Sequence, residues 1–380
     1  MNGTVGAAGW RDWRVGLIAA VWLVALGKLA FTVGGGGAQW WHHDLRTLAR
    51  DQALFYAGTY PHAALAAAAG EVRTAYPPTS FPLFLPWLPP GMTGGALRAW
   101  FAAAQLAALA ALAAFAWRRG RAVDARLAWL LTGALLATSG VRADLLFGNM
   151  ALITTALLLG ALLALERGRV IGAAVAWVAA MVKPQMGWLF ALALWRRATW
   201  RAWLGAALLL GISGVAACAW TGVSLAATLG VGAGEEATKW AAWSPLNNLP
   251  VWLGAAGLSP QAALALGAAL ALAAGAWAVT RPGLRDDWLG QFAVLGLVNR
   301  IGVYHNYCDD VLLVFALVWL GRRAWRGTRA DWAIWLAVAG SVALPTSALA
   351  AGEAKAAVLL VWAVAAAWIV RRAGRVQGEA

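Results

Sequence analysis

Two cysteines, Cys218 and Cys308, and four histidines are all that the 380-residue chain offers for soft metal ligation. Two distant cysteines make no disulfide framework, and no CxxC or HxxxH spacing supports a metal site. Adjacent His42 and His43 do not converge on one ion unless the chain is extended. Charge is equally scarce. Charged residues are 12% of the chain, about half of what a soluble domain carries. That shortage excludes a soluble domain, and the mean hydropathy of +0.67 agrees. The charge that exists leans one way, with 30 Lys and Arg against 16 Asp and Glu. A nucleic-acid partner does not follow, because the basic residues sit in short clusters between apolar runs. That is the pattern of cytoplasmic loops in a membrane protein.

The remainder is 62% hydrophobic, in runs that recur along the whole length. A helix needs roughly 20 apolar residues to cross a bilayer. The runs are too long and too uniform for barrel strands, so the spans are helices. The fold class is an all-α polytopic membrane protein of one domain, residues 1–380. Spans are expected near 15–33, 97–117, 127–141, 150–165, 202–220, 260–279, 288–303, 310–321, 331–345 and 355–370. Residues 170–195 are too few for two full spans and carry Lys183-Pro184-Gln185 in their middle. Proline removes a helical hydrogen bond, so a broken pair of short helices meeting at Lys183-Pro184 is expected. The total is about twelve helices. Arg11 and Arg14 place the first span's start in the cytoplasm. No small-residue cleavage site follows, so that span is read as uncleaved. Both termini are then cytoplasmic, and every basic cluster falls inside.

This topology sorts the polar residues. The inner loops are almost purely arginine. The outer side comprises the loop 34–96, shorter turns, and the loop 221–259. It carries His42, His43, Asp44, Arg46, Arg50, Asp51, Glu71, Arg73, Arg142, Asp144, Asn149, Lys183, Gln185, Glu235, Glu236, Lys239, Arg300, His305, Asn306, Asp309 and Asp310. Ionisable residues at membrane depth default to function. Lys183, Arg300 and His305 stand out because they lie at outer span ends.

Residues 44–58 form an amphipathic helical pattern. Leu45, Leu48, Gln52 and Phe55 share one side, and Arg46, Arg50 and Asp51 lie on another. Asp44 fits the N-cap and Gly58 the C-terminal stop. A capping carboxylate stays ionised, so the same residue can serve as a base; the two roles are compatible. Tyr76-Pro77-Pro78 and Phe81-Pro82 read as a rigid turn leading into the second span. Asp309-Asp310 read as caps of the span that follows.

Three groups of residues, taken in order, resemble glycosyltransferase family 87. The first is Asp44, then Gly58-Thr59-Tyr60-Pro61-His62, then Tyr76-Pro77-Pro78. His62 stands where the family has tyrosine. The second is Gly148-Asn149, Glu166-Arg167-Gly168-Arg169 and Lys183-Pro184. The third is Tyr304-His305-Asn306-Tyr307. The resemblance implies the GT-C membrane fold. It also implies transfer of a sugar from a polyprenyl monophosphate to a lipid- or glycan-linked acceptor on the extracytoplasmic face. Asp44 matches the family's catalytic aspartate, and Lys183 and His305 match positions facing the donor phosphate. Mannose is the expected sugar, and the expected location is a bacterial plasma membrane.

The chemistry asks for the same residue types. An acceptor hydroxyl is a poor nucleophile and wants a general base. A departing phosphate gains charge, which Lys183, His305, Arg142 and Arg300 can meet. His43, Tyr76, Asp144, Asn149 and Gln185 are the candidates for holding sugar or acceptor. One base and no second carboxylate nucleophile favour inversion, with no cofactor and no obligatory metal. The rival readings are a secondary transporter or flippase-like protein, whose helices are also broken, and a non-catalytic assembly subunit. The absence of an internal repeat and the clustering of polar residues at one face count against a transporter.

Overall fold

The computed structural model describes residues 9–33, 43–61, 76–195, 199–224, 226, 248–303, 305, 307–344 and 352–373. His42, His62, Glu71, Arg73, Glu235, Glu236, Lys239, Tyr304 and Asn306 lie outside them. Every regular element among the described residues is helical.

The chain opens with α1 (Gly9–Val33) and α2 (His43–Tyr56). The short turn α3 (Ser80–Leu83) precedes α4 (Gly94–Arg121). Next come α5 (Ala125–Ala137), α6 (Ser139–Phe147), α7 (Ala151–Glu166) and α8 (Val170–Ala180). The irregular α9 (Pro184–Leu194) leads to α10 (Trp200–Thr221). Then follow α11 (Leu249–Ala255), α12 (Pro260–Val279), α13 (Pro282–Arg285) and α14 (Trp288–Gly302). A 3-10 turn, Tyr307–Leu313, runs into α15 (Val314–Arg326). The last helices are α16 (Arg329–Ala343) and α17 (Gly352–Ala373).

Among the described residues, five helices are long and apolar enough to cross a membrane: α1, α4, α10, α12 and α17. Large apolar side chains face outward on them, such as Leu23, Ile212 and Leu360. The chain is therefore a membrane protein. The pair α5 and α6 qualifies as a sixth span if it is taken as one. The expected total of twelve also counts α7, α8, α9, α14, α15 and α16, each shorter than a full crossing.

Two expectations need correcting. The span expected over 127–141 is bent by 48° between α5 and α6. Thr138 leaves helical geometry with ψ 138°, and its hydroxyl accepts from Val141 N at 3.4 Å to start α6. Arg142 and Asp144 therefore ride on a helix rather than a loop. The proline-rich stretch does not enter the second span directly either. It builds α3, and Phe81 stacks on Phe55 of α2 with ring centres 5.1 Å apart.

Small residues let the helices approach closely. A Cβ on Gly120 would stand 2.5 Å from the Ala128 backbone, so α4 and α5 turn tightly on each other. A Cβ on Gly267 would stand 2.5 Å from the Gly302 carbonyl oxygen, joining α12 to α14. A Cβ on Gly140 would stand 2.8 Å from Val311 N, pressing α6 on the 3-10 turn. The breaks are satisfied from within. Lys28 of α1 donates to the Ala137 carbonyl at 2.7 Å, the Ala343 carbonyl at 2.5 Å and Ser139 Oγ at 2.9 Å. One cation thus serves the ends of α5 and α16, where carbonyls lack helical partners.

Candidate functional site

α2 is positioned by its buried stripe of Leu45, Leu48, Asp51, Gln52 and Phe55. Asp51 belongs to this inner face, not to the outer one expected from the sequence. It stands three residues from Leu48 and four from Phe55, the spacing that puts helical residues on one face. Gly58, with φ +76°, ends the helix as expected, and Thr59 N donates to the Leu54 carbonyl at 2.9 Å. The helix already begins at His43, so Asp44 lies within its first turn rather than ahead of it. Negative charge is still favoured there. The carboxylate, however, is held from across the fold: Asn149 Nδ2 donates to Asp44 Oδ2 at 2.7 Å.

Asn149 owes its place to Gly148. That glycine ends α6 in the left-handed conformation, φ +69°, which side chains with a Cβ resist. The chain reverses there, and Asp144 binds the start of α7. Asp144 Oδ1 accepts from Ala151 N at 2.9 Å, and Oδ2 accepts from Leu152 N at 3.1 Å. Gln105 of α4 reaches Asp144 Oδ2 and the Asn149 carbonyl, each at 3.0 Å. Replacing Gly148 with alanine is expected to destabilise the fold by about 1–2 kcal/mol. It should also lower turnover, because Asn149 moves with the turn. Thermal unfolding and activity in detergent, compared side by side, check both effects.

From Asn149 a line of bonds continues inward. Lys183 Nζ donates to Asn149 Oδ1 at 2.6 Å and also to Asp309 Oδ1. The other oxygen of Asp309 lies 3.0 Å from His305 Nδ1. Lys183, Asp309 and His305 are buried, and among the described residues His305 Nε2 has no hydrogen-bond partner. At the other end Asp44 remains within reach, its side chain 30% exposed. The Tyr76 hydroxyl feels the charges of Lys183, Asp44, Asp309 and Asp144, which sets it beside this line.

Lys183 stands where expected, at the break between α8 and α9. The break folds α9 back on α8, and Trp177 Nε1 donates to the Gly187 carbonyl at 2.9 Å. Carbonyls freed by the break find Asn299 of α14, whose Nδ2 donates to Gln185 O at 2.9 Å and Met186 O at 3.0 Å. Gln185 thus enters through its backbone.

The other expected residues divide. Arg300 pairs with Asp310 at 2.6 Å and lies over the Trp362 ring, so both are committed to a second buried pair. Arg142 packs over Phe31 of α1 at 4.7 Å, and among the described residues its Nε has no hydrogen-bond partner. Arg142 lies on α6, whose Gly140 presses on the 3-10 turn that carries Asp309, so it stands beside the line rather than in it. Asp144 is fully buried and supports α7, so it is no open sugar ligand in this conformation. Asp309 is the centre of the line, not merely a cap. Gln105 and Asn299 were not singled out from the sequence. The signal for Gln105 was an amide amid apolar residues; Asn299 stands directly beside Arg300.

His43 lies at the exposed end, with Nδ1 3.5 Å from Asp44 Oδ1. Its hydrogen bond to Asp44 holds its pKa above the ordinary value of 6.5. The pairing favours the charged imidazole. Its support for α2 is therefore complete below the ordinary pKa and fades as pH rises through the raised one. Losing that proton removes a positive charge from beside Asp44, the group expected to take the acceptor's proton. Activity is expected to rise through a pKa above 6.5, and a rate profile of His43→Gln should lack that step.

A helical membrane domain that runs a buried line of polar and ionisable residues to a reachable carboxylate has the makings of a membrane-embedded transferase. The comparison with known families agrees: glycosyltransferase family 87 matches residues 74–303. That is more than half of the chain, and the chain belongs to this family. The match takes in Tyr76-Pro77-Pro78, Gly148-Asn149 and Lys183-Pro184; Asp44 precedes it and His305 follows it. No curated protein and no solved structure matches the chain.

Proposed function

We propose that the protein transfers a sugar, mannose by family resemblance, from a polyprenyl monophosphate to a hydroxyl of a lipid- or glycan-linked acceptor. The configuration at the sugar is inverted. The observation that carries this reading is the line Asp44–Asn149–Lys183–Asp309–His305. It joins a reachable carboxylate at one end to an imidazole at the other, whose Nε2 has no partner among the described residues.

Asn149 holds one oxygen of Asp44 and leaves the group free to accept the acceptor's proton. The acceptor oxygen then attacks the anomeric carbon, and the bond to the phosphate oxygen breaks with its electrons on the phosphate. Fixed positive charge where negative charge develops lowers the barrier. Lys183 supplies charge at the line and Arg142 at its edge. An arriving phosphate favours the imidazolium form of His305, whose Nε2–H can bond to it. The broken helices α8 and α9 are also compatible with a transporter, but a glycosyltransferase family match weighs against one. The active face is assigned to the periplasmic side of a bacterial plasma membrane, with both termini in the cytoplasm.

The test supplies membranes containing the protein with polyprenyl-monophosphate mannose labelled in the sugar. Label should pass to a lipid or glycan product of inverted configuration. Transfer from a nucleotide sugar alone, or retention of configuration, overturns the reading.

A further inference from the structure

A cavity of about 540 Å³ lies on the far side of α2 from Asp44. Arg46 and Arg50 are roughly 200° and 240° round the helix from Asp44, so α2 separates this space from the buried line. Its opposite wall is residues 88–94 and the first turn of α4, with Arg98. Among the described residues, three arginines line it and no carboxylate does. Arg50 also contacts Asp51 at 3.1 Å, whereas Arg98 is exposed, with no carboxylate partner among the described residues. The rest of the lining is mainly apolar, including Leu45, Ala49, Ala53 and Leu97.

We propose that this cavity binds an acidic lipid of the bilayer, its phosphate on the arginines and the start of its chain along the apolar wall. The guanidinium group suits phosphate because it offers several donors in a fixed plane. Position argues for a lipid over a free anion. The cavity sits at the first turn of the spanning helix α4. Leu85 and Trp100 beside it are 50% and 46% exposed, and Trp100 Nε1 is held by the Pro86 carbonyl at 3.1 Å. Tryptophan marks the membrane–water boundary, so the mouth opens where headgroups lie. The wall is also continuous with the scaffold of the site. Tyr56 of α2 donates to the Leu88 carbonyl at 2.8 Å, so a lipid between these segments braces the helix that presents Asp44.

The inference does not depend on the reaction proposed above, and its test reads binding rather than transfer. The full-length protein is purified into mixed micelles of phosphatidylglycerol and phosphatidylcholine, and retained lipid is counted by native mass spectrometry. The wild type is expected to retain phosphatidylglycerol selectively. The triple variant R46Q/R50Q/R98Q should lose that selectivity by roughly tenfold or more. Arg98→Gln alone, an exposed change that should not disturb folding, should lower it partially. Ala53→Trp, which fills the apolar part of the cavity, should reduce retention with every arginine in place. Equal retention of the two lipids by the wild type overturns the proposal. So does selectivity that survives both Arg98→Gln and Ala53→Trp. Complete displacement of the lipid by inorganic phosphate would make this a free-anion site and overturns it as well.

Discussion

Asp44→Asn is expected to lower the rate of sugar transfer by roughly 10²–10⁴-fold, the usual contribution of a general base. The substitution is nearly isosteric. The amide oxygen can still accept from Asn149 Nδ2, the 2.7 Å bond that anchors the native side chain. It cannot take a proton from the acceptor. Membrane insertion and melting behaviour should therefore stay close to wild type, and the loss should fall on kcat rather than on KM for the donor. The contrast matters because the first turn of α2 is also where a carboxylate stabilises a helix. A purely structural Asp44 would lower stability and leave kcat near normal. Single-turnover transfer measured beside thermal unfolding separates the two outcomes.

Lys183→Met should produce the largest loss of stability. Lys183 is 2% exposed and Asp309 fully buried. Methionine fills similar volume but takes away the ammonium that neutralises the Asp309 carboxylate. Removing one partner of a buried ion pair costs about 3–5 kcal/mol, because the remaining charge is uncompensated. Asn149 Oδ1 loses its donor at the same time, so the anchoring of Asp44 loosens and activity should fall as well. The double variant Lys183→Met with Asp309→Asn removes the stranded charge. It is expected to recover part of the lost stability without recovering transfer. Equilibrium unfolding in mixed micelles checks this. A Lys183→Met protein as stable as wild type would show that the buried pair contributes little.

What the sequence showed clearly was whatever depends on local composition. Long apolar runs announce α1, α4, α10, α12 and α17, because crossing lipid requires length and hydrophobicity together. The Lys183-Pro184 break was legible because proline has no amide hydrogen to donate. The stop at Gly58 was legible because glycine tolerates positive φ. The bend at Thr138 was hidden, since threonine inside an apolar run gives no sign of whether its hydroxyl turns back on its own helix or caps the next. Asp51 was assigned to the wrong face because its charge outweighed its spacing. The site was legible as a set of residue types on one side of a membrane. Which of them join was not, because Asp44 and Asn149 stand 105 positions apart, and Lys183 and Asp309 stand 126 apart. Only the packing of α2, α7, α8 and the 3-10 turn brings them together. For the same reason the sequence alone does not show that Arg300 is held by Asp310.

The hairpin of α8 and α9 has one more consequence. Each arm has about eleven residues and rises about 16 Å, roughly half the hydrocarbon thickness of a bilayer. Its tip, with Lys183, cannot reach from one surface to the other. Lys183 at the tip is 2% exposed and bonded to Asn149 and Asp309, so it is covered rather than open to lipid. If the proposed reaction uses this charge, the donor phosphate must leave the plane of its neighbours' headgroups to approach it, while its prenyl chain stays in oil throughout. The acceptor must then follow it down, so the depth of the tip would act as a ruler for what can be glycosylated.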